Sequence, residues 1–92
     1  MPVKVKIPAP LRQLTGGVAV VECEPGTVRE LIGQVDVAYP GFAERVTEEG
    51  ALRRFVNVFV AGEDVRFAEG IETAVADGQD LTILPAVAGG SY

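Results

Sequence analysis

The sequence predicts an α+β fold in which one mixed β-sheet packs against one main helix. Three observations support this prediction. Residues 3–7 alternate strictly between apolar and polar side chains, residues 27–35 carry apolar side chains at helical spacing, and residues 53–60 again have the character of a strand. One amphipathic helix can cover only one face of one sheet, which gives a two-layer domain. A chain of 92 residues has room for one hydrophobic core, so we expect one domain.

The first two predicted strands form a hairpin. Residues 3–7 alternate, residues 18–23 are rich in β-branched side chains, and the two glycines at 16–17 supply a turn between them. The side chains expected to face the core are Val3, Val5 and Ile7 on the first strand and Ala19, Val21 and Cys23 on the second. Because the chain contains no histidine that could activate a thiol, Cys23 is expected to be a core residue and not a nucleophile.

The main helix has clear start and stop signals. Thr27 and Glu30 have the spacing of a capping box, and Pro40 stops the helix. The apolar stripe that should pack on the sheet consists of Val28, Leu31, Ile32 and Val35. Residues 41–50 then predict a short helical turn and an acidic loop on the surface.

The later segments complete the predicted sheet. Residues 53–60 form the strongest strand, residues 65–67 a short edge strand, and residues 80–84 the last strand, which Pro85 ends. On the strongest strand the two faces carry, respectively, Val56, Val58 and Val60, and Phe55, Asn57 and Phe59. A hairpin, a helix and then further strands fit the β-grasp arrangement of ubiquitin.

One face of the sheet is expected to remain open, and its apolar side chains are candidates for binding a partner. If the three valines face the helix, Phe55 and Phe59 lie on the open face. If Thr82 faces water, Leu84 shares that face. A contiguous apolar surface of this kind typically binds another protein. A register shift of one residue would exchange the two faces, and this alternative stays open.

Charge and composition exclude several classes of function. Eight basic against thirteen acidic residues give a net charge of −5, which disfavours nucleic acid as a partner and favours a basic protein surface. No apolar run is long enough to cross a bilayer and the chain does not start like a signal peptide, so we expect a cytoplasmic protein without a membrane partner. One cysteine and no histidine provide neither a zinc cluster nor a histidine-based acid–base pair.

The segment after Pro85 is unlike the rest of the chain. We expect a domain at 1–85 and a flexible tail at 86–92, whose sequence is AVAGGSY. Five extended residues, 86–90, reach at most about 17 Å, and glycine lets a backbone pass through a narrow channel. Such a tail suits a protein whose end must enter the active site of another protein. Glycine-rich ends also occur by chance, so the tail alone leaves both alternatives open.

Three longer segments carry a resemblance to a known family. They are IPAPLRQLTGG near the start, RRFVNVFVAGEDVRF in the middle, and GIETAVADGQDLTILPAVAGG near the end. Together they cover most of the chain and resemble the MoaD/ThiS-type ubiquitin-like sulfur carriers, in particular those of cysteine synthesis in actinobacteria. In this family a C-terminal Gly-Gly carries a thiocarboxylate. The resemblance therefore implies that Gly90 carries the sulfur, with Ala86, Val87, Ala88 and Gly89 as its flexible approach.

The chain departs from the family pattern because Ser91 and Tyr92 follow Gly90. With these residues attached Gly90 has no free carboxylate, so the resemblance implies that they are removed. The implied partners are an E1-like adenylating enzyme, a PLP-dependent synthase that accepts the sulfur, and a JAMM-type metalloprotease that trims the extension. The carrier itself is expected to bind no cofactor, since ATP and magnesium, PLP and zinc belong to these partners.

Three alternatives remain open at this point. The chain could be a sulfur carrier for molybdopterin, a thiosugar or a siderophore. It could be a ubiquitin-like modifier that forms isopeptide bonds with lysines. It could also be a plain binding module whose tail is incidental.

Overall fold

The computed structural model of the chain describes residues 2–54 and 56–85. Phe55 and the predicted tail at 86–92 lie outside these described residues. In chain order the elements are β1 (Val3–Lys6), a 3₁₀ helix (Ala9–Thr15), β2 (Val20–Cys23), β3 (Gly26–Thr27), α1 (Val28–Ala38), α2 (Phe42–Val46), β4 (Thr47–Glu48), β5 (Ala51–Leu52), β6 (Val56–Val60), β7 (Glu63–Asp64), two 3₁₀ turns (Val65–Phe67 and Gly70–Glu72), β8 (Ala74–Val75) and β9 (Asp80–Pro85).

Five of the strands form one mixed sheet in the order β2-β1-β9-β6-β7. The central strand β9 runs parallel to β1 and antiparallel to β6, and β1 and β2 form the predicted hairpin. Helix α1 crosses over one face of this sheet, and the chain returns to place its last strand in the centre. This arrangement confirms the predicted α+β class and β-grasp fold.

Helix α1 begins with the predicted capping box. The backbone N–H of Glu30 donates to Thr27 Oγ1 over 3.2 Å, and the backbone N–H of Thr27 donates to Glu30 Oε1 over 2.8 Å. These two bonds satisfy amide groups that have no partner inside the helix. The predicted stripe of Val28, Leu31, Ile32 and Val35 is buried, and so the helix packs on the sheet with the expected face.

The sheet has the predicted register. The valines at 56, 58 and 60 are buried, as are Leu81 and Ile83 of β9. The side chains between them face the other way, so the alternative in which the two faces are exchanged is wrong. One large core residue was not predicted: Phe42, in α2, is fully buried.

Two local predictions are wrong. Ala19 is exposed and precedes β2, because Leu11 and Leu14 of the first 3₁₀ helix pack against the core at this end. Residues 65–67 form a 3₁₀ turn and not an edge strand. The turn starts there because Asp64 Oδ1 accepts a hydrogen bond from the backbone N–H of Arg66 over 2.9 Å, which caps it.

The predicted acidic loop is a small hairpin, β4–β5. Its two turn residues, Glu49 and Gly50, have φ angles of 53° and 80°, which is the left-handed geometry of a tight two-residue turn. Glu48 and Glu49 are exposed, as predicted. In the part of the chain that the structure describes, no helix has the length and hydropathy needed to cross a membrane.

Candidate functional site

Strand β9 is paired on both sides, and its last residues are held by β6. It pairs with β1 over residues 80–82 and with β6 over residues 81–85, where Pro85 lies opposite Val56. Pro85, the last described residue, therefore lies on the central strand of the sheet and not on an edge strand. The predicted functional residues of the tail lie outside the described residues: Ala86, Val87, Ala88, Gly89, Gly90, Ser91 and Tyr92.

The open face of the sheet brings two of the predicted docking residues together. Phe59 lies opposite Thr82, and Leu84 lies two residues further along the same strand. This diagonal relation separates two residues by about 7–8 Å. Leu84 is 44% exposed and Phe59 is half-buried. The third predicted member, Phe55, lies outside the described residues.

Polar side chains interrupt this face, which makes it mixed rather than purely apolar. Asn57 lies opposite Leu84, and Lys6 lies beside Thr82. The Lys6 ammonium forms an ion pair with Asp80 Oδ2 at 3.1 Å. An interface core flanked by polar groups is the usual composition of a protein-binding surface. The docking role of Phe55, Phe59 and Leu84 stays a prediction.

Arg66 holds the chain segment beside Pro85, and the sequence did not point to it. Its Nη2 donates to the backbone carbonyls of Val56 (2.7 Å), Arg54 (3.1 Å) and Arg53 (3.3 Å). Its Nη1 donates to Asn57 Oδ1. One guanidinium thus fixes the residues that lead into β6. No sequence signal could have revealed this role, because the arginine reaches back across a turn.

Phe67 is a second residue that sequence reasoning missed. It follows Arg66 and is 91% exposed, whereas an edge strand was predicted at this position. An aromatic ring left almost wholly in water contributes nothing to the core. It ends the 3₁₀ turn that carries Arg66.

The described residues offer little chemistry of their own. Cys23 is buried at 5% exposure, and burial raises the pKa of its thiol because a thiolate would lose its hydration there. The residues that the structure describes contain no cluster of three or more histidine, cysteine, aspartate or glutamate side chains that could hold a metal ion. The features that distinguish this end of the molecule are the end of β9 at Pro85, a mixed open face and the hydrogen-bonded guanidinium of Arg66.

Comparison with known proteins gives consistent matches. The family model described as the ThiS family matches residues 5–90. The sulfur carrier protein CysO of Mycobacterium tuberculosis is 47% identical over 93 residues, covering 98% of this chain and 100% of that protein. The crystal structure of the M. tuberculosis protein matches with a TM-score of 0.86 at 44% identity, covering 92% of this chain and 99% of the other.

Two further relatives extend the comparison. A chain in the crystal structure of the Amycolatopsis orientalis BexX/CysO complex is 51% identical with a TM-score of 0.90, covering 96% of this chain and 99% of that one. Small archaeal modifier protein 3 of Haloferax volcanii is 34% identical over 67 residues, covering 73% of each protein.

Proposed function

Because the chain belongs to the ThiS family of ubiquitin-like sulfur carriers, we propose that it carries sulfur as a thiocarboxylate on Gly90. It is a sulfur carrier of the CysO type, which fits a role in cysteine biosynthesis. Its relatives are named as carriers, small proteins on which enzymes act, and are not enzymes themselves. The thiocarboxylate chemistry on Gly90 and the identity of the enzyme that accepts the sulfur are the parts that we propose.

The observation that carries the proposal is the extent of the family match. The match runs to residue 90, five residues beyond Pro85, where the described sheet ends. An extended segment of five residues spans about 17 Å, enough to take Gly90 away from the folded domain and into a partner's active site. Residues 86–89 are Ala, Val, Ala and Gly, and such small side chains suit a narrow channel.

The proposed reaction needs an activating partner because a carboxylate is a poor electrophile. An E1-like enzyme would join the Gly90 carboxylate to AMP, consuming ATP and releasing pyrophosphate. A sulfur donor would then form a C–S bond as AMP leaves, which gives the thiocarboxylate. The carrier contributes a fixed exit point at Pro85 and a docking face. We expect it to hold no cofactor itself, since ATP and magnesium are bound by the partner.

The residues after Gly90 must be absent before activation. A peptide bond to Ser91 leaves Gly90 without the carboxylate that is adenylated. Trimming by a JAMM-type zinc metalloprotease would supply it. The proposed sulfur acceptor is a PLP-dependent synthase of cysteine formation. The CysO of Amycolatopsis orientalis has been crystallised with BexX, and this association supports an enzyme as the partner of this carrier too.

A second function has one observation in its favour. Similarity to a small archaeal modifier protein fits a ubiquitin-like modifier, which would join Gly90 to lysine side chains of other proteins. Conjugates that survive a denaturing gel would identify this activity. Carriers for molybdopterin or a thiosugar would share the same tail and differ only in the enzyme that takes the sulfur.

Two forms of the protein test the proposal, one with Ser91 and Tyr92 and one ending at Gly90. Each is incubated with the adenylating enzyme of the same organism, ATP, magnesium and sulfide. Intact-mass measurement should show one oxygen replaced by sulfur in the form that ends at Gly90 and no change in the other. Equal sulfur uptake by both forms would contradict the need for trimming. No uptake by either form would contradict the carrier proposal.

A further inference from the structure

Three arginines lie on chain segments near the end of β9: Arg12, Arg54 and Arg66. Among the residues that the structure describes, no acidic side chain forms an ion pair with any of them. This differs from Lys6, Arg29 and Arg53, which pair with Asp80, Glu72 and Glu48, respectively. Lys4 and Arg45 also form no ion pair among the described residues, so what distinguishes the Pro85 end is that three such arginines lie on the segments near it.

Hydrogen bonds tie the side chains of Arg66 and Arg12, and the backbone of Arg54, to segments near the end of β9. Arg66 donates to the carbonyl of Val56, which lies directly opposite Pro85. Arg54 is exposed, and its carbonyl accepts from the same guanidinium. Arg12 Nε donates to the carbonyl of Ile7 over 3.0 Å.

Ile7 places Arg12 at the same end of the sheet. β1 runs parallel to β9 with Lys6 opposite Thr82, so the residue after Lys6 lies towards the Pro85 end. Near these arginines, Glu48 pairs with Arg53, and Asp64 directly contacts Arg66. Asp64 bonds the Arg66 backbone N–H and lies opposite Phe59, further from Pro85 than Val56 is.

The acidic residues of the sheet gather at the opposite end of β9. Glu22 and Asp80 lie on either side of Lys4. Glu63 lies opposite Val60, which pairs with Leu81 at the start of β9. The described acidic side chains of the sheet thus lie mainly where β9 begins, together with Lys4 and Lys6, whereas the three arginines lie on segments near its end.

The distance between the two ends of β9 determines which charges act on a docked partner. β9 runs from Asp80 to Pro85, and five steps along a strand span about 17 Å. The Debye length at physiological ionic strength is about 8 Å. A surface that docks at the Pro85 end is therefore screened from the acidic end, and the local positive charge outweighs the net charge of −5.

We propose that the Pro85 end docks on an acidic rim around the active-site channel of the partner that receives the tail. This inference rests on the proposed function, since it assigns the charge of the surface that such a partner presents. The partner surface is a protein surface rich in aspartate and glutamate. The arginines accelerate encounter with it and orient the tail towards the channel, because complementary charge acts mainly on association rate and register.

Charge reversal at two positions tests the proposal. Arg54→Glu and Lys4→Glu change the net charge equally, but Lys4 lies at the acidic end of β9. Both variants are made in the form ending at Gly90, and association with the adenylating enzyme of the same organism is followed by stopped-flow fluorescence. In about 50 mM salt, Arg54→Glu should associate about three- to tenfold more slowly than the unmodified carrier, and Lys4→Glu should not. In about 0.5 M salt the difference should fall below about twofold.

The outcomes separate this inference from the proposed function. If the unmodified form takes up sulfur but associates no faster than Arg54→Glu and Lys4→Glu, the proposed acidic rim is wrong and the proposed function stands. Equal slowing of both variants would assign the effect to net charge and would also overturn it. Arg12→Glu provides an independent check on the other side of β9, and thermal unfolding confirms that each variant is folded. Absence of sulfur uptake by the unmodified form counts against the proposed function instead.

Discussion

Cys23 is the one cysteine of the chain, and its environment makes its thiol inert. It ends β2 opposite Val3 and is 5% exposed. Burial raises the pKa of the thiol, since the thiolate cannot be hydrated in the core. In the unfolded chain the thiol ionises near pH 8.5. Above that pH the unfolded state binds fewer protons than the native state, so the free energy of unfolding falls as pH rises.

This coupling gives a prediction for Cys23→Ala. The stability that the protonated thiol contributes is complete below about pH 8 and is lost as pH rises through the native pKa. We therefore expect the free energy of unfolding, measured by urea titration, to fall more steeply between about pH 8 and 10 for the natural protein than for Cys23→Ala. Iodoacetamide should modify the native thiol only slowly at neutral pH. Parallel pH profiles or rapid alkylation of the folded protein would contradict the assignment.

Helix α1 owes its position to one face, and two residues on it make a matched pair. Leu31 is fully buried against the sheet, whereas Val37 is 84% exposed. Leu31→Ala should lower the free energy of unfolding by about 2–5 kcal/mol, through lost burial and a cavity. Val37→Ala on the same helix should change it by less than about 0.5 kcal/mol. Urea titrations measure both values, and similar effects for the two variants would show that the helix does not pack through this face.

The elements that could be predicted from sequence are those with local signals. The capping box of Thr27 and Glu30 and the alternation in β1, β6 and β9 depend on neighbouring residues, so their positions follow from the sequence. The first 3₁₀ helix could not be predicted, because it is held by its surroundings. Its last residue, Thr15, is fully buried, and its hydroxyl lies 2.8 Å from the carbonyl oxygen of Val18.

The same distinction applies to the candidate site. Alternation was enough to place Phe59 and Leu84 on the open face, because side chains on a strand change face at every residue. The role of Arg66 could not be predicted, since it depends on a turn that returns the guanidinium to Val56. Net charge predicted a basic partner surface, and that expectation stays a prediction beside the proposed acidic rim. Net charge sums over the whole chain, whereas screening limits a docking surface to its own neighbourhood.

At the scale of the whole molecule, the two layers present different surfaces to a partner. The helix layer turns its apolar stripe inward, and Val37 lies exposed on its outer side. The sheet layer leaves its second face open, with Phe59 and Leu84 near the exit of the chain. A partner that receives the tail must contact the molecule near Pro85, so the open face is the layer we expect it to cover.

Two neutral substitutions test this choice of face independently of charge. Phe59→Ser removes an aromatic ring from the open face without placing a second carboxylate opposite Asp64. Val37→Ser makes a similar apolar-to-polar change on the helix layer. If Phe59 is an anchor of the interface, its loss should weaken binding to the adenylating enzyme by at least about tenfold, since aromatic anchors contribute about 2 kcal/mol or more. Val37→Ser should leave the affinity within about twofold.

Calorimetry measures the affinities, and thermal unfolding shows whether each variant is folded at the titration temperature. Because both substitutions are neutral, the salt dependence of association should match that of the unmodified carrier. A folded Phe59→Ser variant that binds as tightly as Val37→Ser would exclude the open face as the docking surface. A loss of affinity in Val37→Ser alone would assign docking to the helix layer. If Phe59→Ser binds more weakly and its association keeps the salt dependence of the unmodified carrier, the apolar face stabilises the complex and the charged end accelerates its formation.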